Sequence, residues 1–199
     1  MKLYYAPGAC SLGPHIILRE AGLEAELDKV TFGKERTTAS GKNYYDINPQ
    51  GAVPALELDN GEVLTEAQVL LQYLAAQKPE AKLAPTEGIE RWRFLETLNF
   101  IATELHKGTS PLFRNPTDDA RATVKENLAN RYQLLDRKLG EKDYLFGQFT
   151  VADAYAFVVL NWARRFEVET TPRLQAYFNR IMARPAVQQT LQEEGLPTS

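Results

Sequence analysis

The 199-residue chain contains a single cysteine, Cys10, and its neighbours suit it to nucleophilic work. Leu3 to Ala6 reads as a strand, Pro7-Gly8-Ala9 as a tight turn, and Ser11 onward as a helix start. A thiol at that junction lies near the unpaired N–H groups and positive dipole end of a helix, which favour thiolate over thiol. The alternative is a small buried apolar side chain, the commoner fate of a free cysteine.

Four further features could act with it. Val53-Pro54 stands just before an apolar run, and Xaa-Pro is the bond that takes cis at low cost. A cis bond would turn the Val53 backbone outward, where it could pair with an extended peptide-like ligand. The other reading is an ordinary turn proline. Glu66-Ala67 opens a helix whose free N–H groups suit a carboxylate, while the Glu66 carboxylate suits an α-amino group. A glutamate that only complements the helix dipole is the simpler account. Trp92, Asn99, Thr103 and His106 share one helical stripe, either a solvated face or a set of polar groups facing the sulfur. In the second case His106 could hydrogen-bond sulfur and Asn99 could donate or accept. Lys34 and Arg36 are candidate cations for a ligand carboxylate, or solvated surface charges.

Several chemistries are excluded. No second cysteine follows Cys10, so there is neither a dithiol centre nor an internal disulfide. Two distant histidines and one cysteine make a poor metal site, and no metal is expected. Neither common phosphate-binding glycine pattern occurs. A Cys10–His106–Asn99 hydrolase lacks any local signature. The net charge of −3 offers no electrostatic reason to expect nucleic acid or an anionic membrane as partner. With 44% hydrophobic residues, no signal-like segment and no long apolar run, a cytoplasmic globular protein is expected.

The elements that must position these groups fall into two halves. The first alternates: a strand at 2–6, a helix from about Ser11 to Ala21 closed by Gly22, and a parallel strand at 25–32. A short helix then leads to Asn48-Pro49-Gln50-Gly51. Strands at Ala55–Leu58 and Glu62–Leu64 flank the hairpin signal Asp59-Asn60-Gly61. Thr65 with Gln68 three positions on reads as a capping box for a helix to about Gln77. This is a βαβ-αββα domain over residues 1–78, with a linker at 79–86. An all-α domain follows over 87–199, with helices at about 87–110, 118–139, 150–165, 172–183 and 185–194.

Taken in order, several segments resemble the bacterial beta class of cytosolic glutathione transferases. They are Met1-Lys-Leu-Tyr-Tyr with Pro7-Gly-Ala-Cys10-Ser-Leu, Asn48-Pro-Gln-Gly-Ala-Val53-Pro54, Leu64-Thr-Glu66, and Leu98-Asn99-Phe-Ile-Ala-Thr-Glu-Leu-His106-Lys107. Phe149-Thr-Val-Ala-Asp153-Ala-Tyr and Arg184-Pro-Ala-Val carry the likeness to the C-terminal half. The resemblance implies an α/β thioredoxin-like N-terminal domain, an all-α C-terminal domain, a homodimer, and glutathione as co-substrate. It implies that Cys10 faces the glutathione sulfur and that the Val53 backbone, before a cis Pro54, pairs with the cysteinyl amide. It assigns Glu66 and the Ala67 N–H to the γ-glutamyl end, and Asn99, Thr103 and His106 to the helical domain's share of the site. Thr150 and Asp153 match the family's structural capping motif. Ala67 departs from the family, which often has Ser or Gly there, and offers only its backbone. Either Lys34 or Arg36 would stand for the family's lysine. The implied activity is conjugation of glutathione to small hydrophobic electrophiles in detoxification, with glutaredoxin-like thiol transfer through Cys10 as a second possibility. The alternatives are a non-catalytic ligand-binding protein and a specialised glutathione-dependent dehalogenase.

Overall fold

A computed structural model describes residues 1–198, which form two compact units. The first unit joins Met1–Leu83 to the C-terminal stretch from Arg184 onward; the second is Ala84–Ala183.

In the first unit, β1 (Lys2–Tyr5), α1 (Leu12–Glu20) and β2 (Glu26–Thr31) make the expected βαβ unit, with Leu3 in parallel register with Leu27. Gly22 ends the α1 region at φ +62°, the left-handed conformation that spares glycine a Cβ clash. A two-residue strand β3 (Thr37–Thr38) pairs antiparallel with β2, too short to leave a pattern in the sequence. Strands β4 (Ala55–Glu57) and β5 (Val63–Thr65) form the hairpin, so the sheet order is β3-β2-β1-β4-β5. Leu3, Ile16, Leu56, Leu70, Leu71 and Leu74 bury the apolar faces of the sheet, α1 and α2 (Ala67–Gln77).

The second unit is helical. Residues 88–109 are interrupted rather than continuous: α3 (Gly88–Phe100) passes into a π-helical segment, Ile101–His106, before the single turn α4 (Lys107–Thr109). A longer helix, α5 (Asp118–Leu139), and the central α6 (Val151–Arg165) follow, then α7 (Pro172–Met182). Nearly every side chain of α6 is buried, as expected of a helix apolar on all sides.

The capping motif is built as the resemblance implies. Asp153, wholly buried, accepts hydrogen bonds from the Thr150 N–H (2.8 Å), Thr150 Oγ1 (2.8 Å), the Leu145 N–H (2.9 Å) and the Tyr177 hydroxyl (2.6 Å). One carboxylate thereby ties the start of α6 to the preceding loop and to α7.

The last helix, α8 (Pro185–Glu194), corrects the expected division of the chain at 87–199. It packs on α1, and Arg184 donates to Glu20 through two nitrogens at 2.5 and 2.8 Å. Residues from 184 onward therefore complete the first unit.

Replacing Asp153 by Ala would leave four buried donors without their acceptor. It should lower the unfolding free energy by about 3 kcal/mol or more, against about 1 kcal/mol for Thr150→Ala, both read from denaturant titrations.

Candidate active site

Strand β1 delivers the chain to Ala6, and the next five residues turn it into α1. Gly8 takes φ +69°, the Ala9 N–H returns to the Ala6 carbonyl (3.0 Å), and Ser11 Oγ accepts from the Ala6 N–H (3.1 Å). These bonds set Cys10 on the outside of the bend. Its thiol donates to the Val53 carbonyl at 3.0 Å.

The protonation state differs from the expected thiolate. Burial pushes the Cys10 thiol up to about 12, and the nearby Glu66 charge acts in the same direction. The Cys10 and Ser11 amides at the helix start pull the other way without prevailing. The helix end is where the sequence places it, but desolvation wins.

Val53 is held by its neighbours. Tyr44 and Asn48 both donate to the Ala52 carbonyl, at 2.8 and 2.7 Å, fixing the loop one residue upstream. The Val53-Pro54 bond is cis. Arg36 donates to the Gly51 carbonyl and lies over the Phe32 and Tyr45 rings, 4.8 and 5.7 Å from their centroids. Gly51 has no room for a side chain, since a Cβ would meet the Tyr45 ring at 2.6 Å. Arg36 is thus engaged in bracing this loop. Lys34 is exposed and has no hydrogen-bond or ion-pair partner among the described residues.

Glu66 is brought to the same edge by strand register. Thr65 pairs with Ala55, which sets Glu66 level with Pro54. That pairing also overturns the expected capping box. Thr65 stays in β5, Glu66 becomes the N-cap, and no side chain caps the helix. Glu66 adopts φ 69° and ψ 116°, outside the ordinary regions for a side-chain-bearing residue. Such a conformation costs about 1–3 kcal/mol and collects at functional sites. The Ala67 and Gln68 N–H groups that follow have no acceptor among the described residues.

The second unit carries the other three candidates on one stretch of helix. Asn99 and Thr103 are exposed, and Thr103 Oγ1 donates to the Asn99 carbonyl at 3.0 Å. Trp92, on the expected stripe, is exposed as well. Thr103 and His106 lie in the π segment, whose period differs from the one the stripe assumes. The His106 Nδ1 lies 2.7 Å from the Tyr155 hydroxyl, and its ring packs edge-on to Trp162 at 4.9 Å. Phe113 meets Trp162 in turn at 5.3 Å. Tyr155, Trp162 and Phe113 were not singled out from the sequence; nothing in their spacing separates them from core aromatics. Burial and the neighbouring Lys107 charge lower His106 to about 4, so the ring is neutral at physiological pH.

Comparison with known proteins follows this geometry. The model of the glutathione S-transferase N-terminal domain matches residues 8–77, and that of the C-terminal domain matches 100–185. The glutathione S-transferase GstA of Escherichia coli O157:H7 is 45% identical over 201 residues, covering 98% of this chain and all of that protein. The chain belongs to the glutathione S-transferase family. A sphingomonad glutathione S-transferase complexed with glutathione superposes with a TM-score of 0.92 at 44% identity, covering 99% of this chain and all of that one. The beta-class glutathione S-transferase of Sphingomonas chungbukensis gives 0.91 at 42%, with coverage of 99% and 100%. The beta-class reading of this transferase stands, as does its thioredoxin-like first unit. Among the described residues, no helix is long and apolar enough to cross a membrane, and no three His, Cys, Asp or Glu side chains gather as metal ligands would.

Two titrations check this site. Alkylation of Cys10 by iodoacetamide should keep rising with pH and show no plateau below about pH 10; a plateau near neutrality would reveal a thiolate and contradict the protonated thiol. For His106, the folded value of about 4 lies below the ordinary 6.5. Its contribution to stability is therefore present above about 6.5 and is lost as pH falls towards 4. The ring protons, followed by NMR, should stay flat from about pH 8 to 5.5; a midpoint near 6.5 would refute the buried neutral ring.

Proposed function

We propose that this transferase conjugates glutathione to small hydrophobic electrophiles, with Cys10 acting as a hydrogen-bond donor to the glutathione sulfur. The observation that carries the reading is the Cys10 thiol, kept protonated and donating to Val53. A bound glutathione sulfur would take that S–H in place of the Val53 carbonyl. Glutathione's thiol is mostly protonated near neutral pH, with a cysteine pKa of about 8.5, and a donor aimed at its sulfur raises the thiolate fraction. The thiolate then attacks the electrophilic carbon, forming the C–S bond as the leaving group departs with its electron pair.

The other contacts follow from unused backbone groups. Val53 would pair its backbone with the cysteinyl residue, in the manner of an added strand, with Pro54 shaping the edge. The free Ala67 and Gln68 N–H groups, at the positive end of α2, would bind the γ-glutamyl carboxylate, and Glu66 the adjoining ammonium. Because Arg36 is engaged with Gly51, Lys34 is the cation we assign to a glutathione carboxylate. Asn99, Thr103 and His106 remain the polar candidates of the second unit, with His106 as a neutral imidazole. The aromatic group of Trp162, Phe113 and Phe166 offers apolar surface for the electrophile. Ile89 and Trp92 on α3 are 69% and 67% exposed, which supports burial of that face against a second copy as a homodimer. A cytoplasmic location accords with this chemistry.

A glutaredoxin-like transfer through Cys10 needs the Cys10 thiolate as nucleophile, and the raised pKa opposes it. Substitution separates the roles. Cys10→Ala should cut conjugation of a chromogenic aryl halide by about tenfold or more, whereas Cys10→Ser, which retains an O–H donor, should recover much of it. Equal activity of Cys10→Ala and the unsubstituted enzyme would remove Cys10 from the conjugation step.

A further inference from the structure

His15 lies fully buried on α1 between two carboxylates of α8. Its Nδ1 is 2.9 Å from Glu194 Oε1 and its Nε2 is 2.8 Å from Glu193 Oε2. Glu193 sits nearer solvent, where the Arg19 Nε donates to it at 2.8 Å and Gln189 at 2.9 Å. Glu194 differs from it. Its side chain is wholly buried, and its second oxygen, Oε2, accepts the Gly8 N–H at 2.8 Å. Beyond the end of α8, the Leu196 methyl groups lie where a side chain on Gly8 would begin, 3.6 and 3.8 Å from that position.

Gly8, two residues before Cys10, belongs to the turn that leads to the sulfur. That turn is held from two sides, and the Ala9 N–H bond to the Ala6 carbonyl is among its internal ties. Ser11 ties it from within through Ala6. Glu194 ties it from outside, reaching across 186 residues of sequence. A buried carboxylate is costly unless its bonds are made, and the bonds made here are one imidazole and one backbone amide of the turn. None of the catalytic roles assigned above uses Glu194, His15 or Glu193.

We infer that Glu194 is a positioning residue for Cys10: by gripping the Gly8 amide from α8 it sets where the sulfur lies, and so how well the enzyme engages glutathione. The inference rests on the reading of Cys10 as the group facing the glutathione sulfur. The His15 bond orients the Glu194 carboxylate, and Leu196 closes over the turn from outside. Released from Glu194, the bend would keep its internal bonds to Ala6 but lose the tie to α8, and Cys10 would sample positions away from Val53. Catalytic geometry is sensitive to such shifts, since about 1 Å of misplacement can cost on the order of a hundredfold.

Glu194→Ala and Glu194→Gln test it. Glutamine can present its carbonyl oxygen to Gly8 and its amide N–H to the ring, so it should act as the rescue. At a temperature where circular dichroism shows both variants folded, Glu194→Ala should alkylate at Cys10 about fivefold faster than the unsubstituted enzyme. It should also raise KM for glutathione about tenfold while kcat changes less, with Glu194→Gln close to the unsubstituted values. Lower thermal stability with unchanged alkylation and KM would make Glu194 a structural residue only, and would overturn the inference. If Glu194→Ala does not fold, amide exchange on the unsubstituted enzyme decides. Gly8 exchange slowed together with the α8 amides supports the grip, and exchange at the unprotected rate refutes it. Cys10→Ala run alongside keeps the two ideas apart. Unchanged conjugation there would fault the assignment of Cys10, while the alkylation and exchange measurements would still judge Glu194.

Discussion

The antiparallel pairing of β1 with β4 is the contact on which the site depends. Leu3 opposite Leu56 and Tyr4 opposite Ala55 bring the end of β1 alongside the start of β4. Cys10 emerges just past one and Val53 just before the other, so a thiol and a carbonyl 43 residues apart in sequence meet at 3.0 Å. The second pairing, β4 with β5, carries Glu66 to the same edge. A slip of one residue in either ladder would turn every paired side chain to the opposite face and separate these groups. Full burial of Leu3 and Leu56 makes such a slip costly, so the apolar core holds the register that brings these groups together.

Much of this was legible in the sequence because short-range signals and final structure agree. The strand, turn and helix around Cys10, the Asp59-Asn60-Gly61 hairpin, the Val53-Pro54 bond and the Thr150–Asp153 cap all depend on residues within a few positions of each other. What escaped reading depends on distance or competition. Thr65 with Gln68 has the form of a capping box, yet ladder pairing with Ala55 keeps Thr65 extended and forces Glu66 into the cap at positive φ. The π segment is invisible to a search for a fixed helical period, and Thr103 and His106 both lie within it. The partnership of α8 with α1 spans the chain, and no local pattern announces it.

The charge states of Cys10 and His106 follow the same rule. Position on a helix suggested a thiolate at Cys10, and burial reversed it. His106 is likewise held uncharged by its surroundings, with Tyr155 hydrogen-bonded to its Nδ1. A free enzyme carrying a neutral thiol and a neutral imidazole places no charge of its own on these two groups.

The chain leaves the first unit after Leu83 and returns to it at Arg184, so the helical unit is inserted within the first rather than appended after it. During synthesis the sheet, α1 and α2 emerge early, but the helix that packs on α1 is made last. Until residues 184–196 are available, His15 and Glu20 lack their charged partners on that segment and the apolar face of α1 lacks its cover. The first unit is thus begun before the helical unit and finished after it, and a nascent chain cannot complete the sheet unit until the helical one has been made.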